Sequence, residues 1–373
     1  MATLNSFQKL SRISSSDYGN GSDGDLIISA DTTQSVGNAS CSGTATSTSL
    51  TLDSASTFAN GQIVLIHQTR GTGVGQWEIN KISSGGGSTT LTLSTALNYT
   101  YTDSGSSQAQ VYEVKQYDNI TINLTKTWSA GDWGGNTGGI LVAAAKGTMT
   151  VTGSISTDGK GFRGGSGSGN QNIRGNSGEG TAGASVSQSS SANGNGGGGG
   201  ADSGVNRDGA GGGYATTGGT GGNSGATGGS VVGSVDLITM NLGGAGGGTS
   251  SDSGANTGGD GAGIGIFFSK IITVTGTMTS SGALGGLNAT TGRRAGHGSG
   301  GSYLFVCDTA TLGTNLVTAS GGSASPGGAG GDGRICIQYK TSYSGTTTPT
   351  INAQQDATLT EGSAGGIFLL TML

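Results

Sequence analysis

Charged side chains, large apolar side chains, proline and cysteine are all scarce in this chain. Charged residues make up 10% and apolar residues 31% of 373 positions. Ordinary globular domains hold about 25% charged and roughly 45–50% apolar residues, the latter counting glycine. The first shortage excludes the usual charged disordered chain. The second excludes a conventional core drawn evenly from the whole sequence. The net charge is −5 and no basic stripe is present, so no nucleic-acid partner is expected. Proline is confined to Pro326 and Pro349, and cysteine to Cys41, Cys307 and Cys336. The cysteines form no CxxC pair and no zinc spacing. Cys307 and Cys336 each sit in an apolar run and read as small buried residues, with a disulfide between them left open. No run approaches the ~18 apolar residues of a membrane span. Residues 1–12 lack the apolar centre of a signal peptide. The expectation is an extracellular, cell-surface or virion protein that inserts into no membrane.

What the chain has instead is glycine. Residues 191–230 hold 18 glycines in 40 positions, including the run Gly196–Gly200. Such a stretch cannot build a side-chain core. It either stays disordered, since fixing a backbone costs roughly 1–2 kcal/mol per residue, or packs backbone on backbone as only glycine allows. The glycines recur beside short apolar strands, which favours ordered, polyproline-II-like or polyglycine-like packing over 159–263. The spacing is not a strict Gly-X-Y triplet, so collagen is excluded.

The remainder reads as all-β with almost no helix. Short strands alternate with polar turns: Leu50-Thr-Leu52, Gln62 to Ile66, Gln76 to Ile79, Leu91-Thr-Leu93, Ala109 to Val114 and Ile120-Thr-Ile122. A repeat follows. Thr150-Val-Thr-Gly-Ser-Ile-Ser-Thr-Asp-Gly159 aligns without a gap on Thr273-Val-Thr-Gly-Thr-Met-Thr-Ser-Ser-Gly282, and a looser copy runs through Ser302 to Gly322. Units that bury an apolar face only against neighbours indicate a β-sandwich or solenoid-like stack. The expected organisation is a polar segment over 1–24, a β-domain over 25–127 and a glycine-rich β-repeat domain over 128–340. A polar spacer with an apolar terminal strand occupies 341–373.

Val64 to Gly73, Gln76-Trp-Glu78, Ala109 to Val114, Asp132 to Ile140, Gly159 to Gly165 and Gly330 to Ile335 resemble a family of uncharacterised bacterial and metagenomic surface proteins. In that family a β-domain precedes glycine-rich repeats. The resemblance runs from about residue 20 to 352 and implies no transferable chemistry. A looser, compositional likeness is to phage tail-tip adhesins, and it implies polyglycine-II packing between β-elements.

Chemistry is sparse. Glycine patterns of the GxGxxG type are expected by chance among 81 glycines, and none opens a helix after a strand. His67 and His297 are the only imidazoles, too few and too far apart for a metal or an evident triad. Most acids lie in turns, where Asp bonds its own backbone. Gly-Gly-Asp-Gly at 258–261 and 330–333 lacks the tandem copies of calcium nonapeptides. No cofactor and no metal site are expected. Asp132 beside Trp133 could flank a sugar. Tyr214, the only aromatic between Phe162 and Phe267, is expected exposed at a loop tip, where it could contact a glycan.

The leading reading is therefore a non-enzymatic structural protein that self-assembles into a surface fibre. An adhesin that binds a glycan and a polysaccharide-degrading enzyme are the alternatives. Self-assembly is placed on the apolar end, Ile367, Phe368, Leu369, Leu370, Met372 and Leu373. Burying each such side chain is worth roughly 1.5–3 kcal/mol. It therefore packs on its own domain or adds as a strand to another copy.

Overall fold

A computed structural model describes residues 10–12, 18–55, 57–200, 206–223, 225–252, 254–356 and 370–372. Among these the regular elements are all strands, as expected. Most belong to one parallel sheet wound as a solenoid. Its coils are built in turn from Leu26–Ile28 with Thr32–Thr33, then Lys115–Tyr117, Ile120–Ile122 and Thr127–Ser129. Ile140–Val151 with Ser154–Ser156 and Ile264–Val274 with Thr277–Thr279 follow. Ser302–Thr318, Arg334–Thr348 and Asn352–Gln355 complete the stack. The two copies of the sequence repeat are direct neighbours: Thr150 pairs Thr273, Val151 pairs Val274 and Ile155 pairs Met278.

Alternation within each strand explains the core. Along Ile140–Val151, Ile140, Val142 and Ala144 face one cluster, while Leu141, Ala143 and Ala145 face another. The second cluster lies where the sheet folds back on itself, and brings Ile122, Trp128, Met149, Val151, Ile155, Val274 and Met278 together. Phe267, Tyr303 and Phe305 stack there, with Tyr303 and Phe305 centroids 5.9 Å apart. Gly265, the register partner of Tyr303, makes room for that ring: a Cβ on it would lie 2.3 Å from the ring edge.

Between the first and second coils the chain makes a closed antiparallel barrel. Its strand order is Asn38–Ser42, Ser49–Leu52, Thr90–Leu93, Trp77–Ser84, Ile63–Arg70 and Gln108–Glu113. Val64 and Ile66 point into the barrel, whereas Ile63 and Leu65 point out to the cluster shared with the solenoid. The β-domain is thus narrower than 25–127, because the strands flanking the barrel belong to the solenoid. Likewise 341–348 continues a strand rather than forming a spacer.

The glycine-rich connections between coils lie side by side without strand or helix. Segment Gly243 to Gly248 shows the pattern. Its N–H groups donate to Ala262 and Gly259, to Glu179 and Asn176, and to Ala210. Its carbonyls accept from Phe162 and Gly165, from Gly197 and Gly200, and from Ser299 and Gly296. Partners recur every third residue, donors go to three neighbouring segments and acceptors serve three others. Backbone groups that a sheet or helix would satisfy locally are here satisfied by distant chain.

Candidate functional site

Each connection leaves the solenoid, turns and returns, so the turns collect at the far edge of the glycine layer. Hydrogen bonds tie them together. Gln171 N–H donates to Asp252 Oδ1 at 3.1 Å, and Asp252 N–H to Asn206 Oδ1 at 2.9 Å. Arg207 Nη1 donates to the Asn223 carbonyl. Ser251 Oγ meets Thr291 Oγ1 at 3.2 Å, and Gly222 N–H donates to the Pro326 carbonyl at 2.9 Å.

These turns enclose a cleft of about 450 Å³ lined by Gln171, Asn206, Arg207, Asn223 and Arg293. Two guanidinium groups and three amides thus converge from parts of the chain far apart in sequence. The short antiparallel pair Leu287–Asn288 with Arg293–Arg294 presents Arg293. Behind it, Asp208 is fully buried. One Asp208 oxygen accepts from Arg293 Nη1 at 3.3 Å and the other from Arg294 N–H at 2.8 Å. Burial pushes the Asp208 carboxyl up, and the Arg294 amide and Arg293 charge oppose that rise. A second cleft, of about 390 Å³, lies at the last coils beside Val235, Arg334, Ile335 and Ile351. Its lining is more apolar and presents one charge.

The sugar-contact residues expected from sequence lie elsewhere. Tyr214 is not at a loop tip but fully buried. Its hydroxyl lies 2.6 Å from Ser302 Oγ and accepts from Asn241 N–H, and the Arg334 guanidinium sits 5.5 Å from its ring centre. The isolation of Tyr214 among glycines arises because its partners, Ser302 and Arg334, come from later coils. Trp133 is also buried, edge-on to Phe162 at 6.1 Å, and presents no face to a sugar. Asp132 is exposed and pairs with Lys160 Nζ at 2.6 Å. Leu370 and Met372 lie in a strand paired antiparallel with Leu10–Arg12 of the same chain, while Ile367, Phe368, Leu369 and Leu373 fall outside the described residues. All three cysteines are free and buried. No group of three or more His, Cys, Asp or Glu that could hold a metal occurs among the described residues. No helix among them is long and apolar enough to cross a membrane.

The cleft residues carry a sequence signal that composition alone obscures. Glycine gives way to long polar side chains at Asn170-Gln-Asn-Ile-Arg174, at Asn206-Arg-Asp208 and at Arg293-Arg294. Those interruptions mark the turns.

Acid should loosen this edge. His297 is buried; its Nδ1 accepts from Gly285 N–H at 2.9 Å, and Nε2–H donates to the Ala324 carbonyl at 2.7 Å. A proton on Nδ1 would face the Gly285 donor. Burial first, then the Arg294 charge, holds His297 below its usual value. Burial lowers His67, bonded to Met240 O, to about 4. Both are neutral when folded and bind protons more readily when unfolded. Their contribution to stability is complete above about pH 6.5 and is lost as pH falls towards the folded values. Glu78 and Asp260, raised chiefly by burial, act in the opposite sense. Between about pH 6.5 and 4.5 acid should therefore lower the melting temperature of wild type relative to His297→Gln, which lacks this protonation. The same pH dependence in that variant would remove His297 from the account.

No family model matches the chain, and no curated protein matches it. Solved structures similar to it include two phage tailspikes. One is the Gp54 tailspike of Acinetobacter baumannii bacteriophage AP22 in complex with A. baumannii capsular saccharide. It is 10% identical, with 89% of this chain and 58% of that one covered and a TM-score of 0.20. The other is tailspike protein gp49 from Pseudomonas phage LKA1. It is 10% identical, with 88% and 64% covered and a TM-score of 0.19. The chain thus spans about three fifths of the length of these tailspikes. At such scores the functional reading rests on the site itself.

Proposed function

We propose that the protein is a non-enzymatic adhesin of a virion or cell surface, and that the far edge of its glycine layer contacts a saccharide. The cleft assembled by Gln171, Asn206, Arg207, Asn223 and Arg293 carries this reading. We read the layer as a polyglycine-II-type array. Its support is the three-residue period, the cross-segment bonds on every side of Gly243 to Gly248, and glycines there outside the left-handed region. Such an array is stiff, so the turns at its edge are held before a ligand arrives. Loops on a rigid scaffold lose less freedom on binding.

Selective blocking tests this reading. The native thiols are buried, with those of Cys307 and Cys336 pushed up to about 12 by burial, so they resist labelling at neutral pH. A bulky maleimide on Asn172→Cys, at the exposed edge, should abolish binding to an array of bacterial surface polysaccharides. The same label on Leu124→Cys, at a solenoid corner 72% exposed, should leave it intact. An array without hits, or hits unaffected by the edge label, would defeat the proposal.

Self-assembly remains a second reading because Asn352–Gln355 covers only the start of Arg334–Thr348, through Cys336 to Tyr339. The rest of that edge offers backbone groups to another copy. Sedimentation over a wide concentration range decides it: a single monomeric species throughout excludes a fibre.

A further inference from the structure

We infer that the ligand is an acidic saccharide, gripped through its carboxylate or sulfate groups by Arg207 and Arg293. This rests on the edge being a contact surface and adds the charge of what it contacts. Among the described residues the cleft lining holds two guanidinium groups and three amides, with neither carboxylate nor aromatic ring. A neutral sugar is usually held by stacking on a ring face together with mixed hydrogen bonds, and here no ring is offered. Amides suit hydroxyl groups, since each both donates and accepts. Guanidinium groups suit carboxylate and sulfate oxygens, whose geometry matches the planar fork.

Two acids near the cleft among the described residues already hold partners. Asp208 is buried behind Arg293, and Asp252 accepts from Gln171 N–H. Arg207 is held at Nη1 by the Asn223 carbonyl, and Arg293 at Nη1 by Asp208. Each guanidinium is thus anchored at one corner. The Nε atoms of both are buried without a hydrogen-bond partner among the described residues, so it is the outer Nη groups that a ligand would meet. In a chain of net charge −5 the positive charges of this lining face the cleft, with the Asp208 carboxylate buried behind Arg293. The lining attracts an anionic polymer, which the chain's acidic exterior elsewhere repels.

Calorimetry on the full chain tests the inference with three probes of equal length: an oligogalacturonate, the same oligomer with its carboxyl groups reduced to alcohols, and a sulfated neutral oligosaccharide. The acidic probes should bind, and the reduced one at least about tenfold more weakly, as hydrogen bonds to charged groups imply. Affinity for the acidic probes should fall as salt rises. Arg207→Gln with Arg293→Gln should cost about tenfold or more in affinity, while Arg293→Lys, which keeps charge but not the fork, should lose less. Preference for oligogalacturonate over the sulfated probe would assign a uronate, and equal binding would assign anionic sugars generally. Equal binding of the acidic and reduced probes would overturn the inference yet leave the contact surface standing. So would unchanged binding by the double variant with a wild-type melting temperature. If the double variant does not fold, the comparison of acidic and reduced probes decides alone. Failure of the wild-type chain to bind any saccharide would overturn both readings.

Discussion

Gly247→Ala collapses the glycine layer, whereas Gly169→Ala leaves it intact. A Cβ on Gly247 would lie 2.0 Å from the Gly198 carbonyl oxygen and 2.6 Å from Gly199 N, both backbone atoms of the adjacent segment. No rotamer change relieves that contact. The two segments must separate, and separation breaks the bonds that join them, from Gly197 N–H to the Ala245 carbonyl and from Gly200 N–H to the Gly248 carbonyl. Each buried backbone group left unpaired costs about 1–3 kcal/mol. A loss of at least about 3 kcal/mol is therefore expected in denaturant melts. A Cβ on Gly169 meets nothing within 4 Å, and its substitution should stay within about 0.5 kcal/mol of wild type. A layer that behaved as coil would tolerate both changes alike.

Glu179→Ala should be nearly as damaging, for an electrostatic reason. Glu179 is buried, 1% exposed at its side chain, in the glycine-rich stretch Gly175 to Gly180. One carboxylate oxygen accepts from Arg70 Nη1 on the barrel, and the other from Arg163 Nε at 2.9 Å and Arg163 N–H at 3.2 Å. Arg70 also donates from Nε to Ser106 O. This ion pair joins the barrel to the layer, beside the bond from Gly71 N–H to Thr181 O. Removing the carboxylate strands the Arg70 guanidinium, only 9% exposed, without its counter-charge. Breaking such a pair costs about 3–5 kcal/mol. Arg70→Met combined with Glu179→Met should recover much of the loss, since no charge is then left buried. A double variant as unstable as Glu179→Ala would show that packing, not charge, sets the cost.

Sequence patterns revealed the elements better than their partners. Thr150 to Gly159 and Thr273 to Gly282 announce stacked coils, and they stack in register because identical spacing places Val151 and Val274 on the same inner face. The barrel strands were legible from their short apolar runs and turn spacing. Their boundary was not, since Leu26–Ile28 and Ile120–Ile122 look like barrel strands but pair with each other across the insertion. Tyr214 shows the same limit at one residue. Nothing near it in sequence can bury it, and Ser302 and Arg334, which do pack against it, are set beside it only by later coils. The cleft depends on how Gln171, Asn206, Asn223 and Arg293 are brought together by backbone bonds among glycines. That packing imposes no periodicity of side chains, so only the breaks in the glycine runs hint at it.

Everything in this account depends on the glycine layer being a fixed, mutually bonded array. Amide hydrogen exchange on the full chain, followed by mass spectrometry, tests that most directly. The amides of Gly243, Ala245 to Gly248 and Gly197 to Gly200 donate to distant carbonyls, as in Gly197 to Ala245 and Gly246 to Gly259. Protection follows the free energy of opening those bonds. The account predicts that these segments exchange as slowly as the solenoid strand Ile140–Val151. Exchange at the rate of unstructured coil, with the solenoid strands still protected, would contradict it.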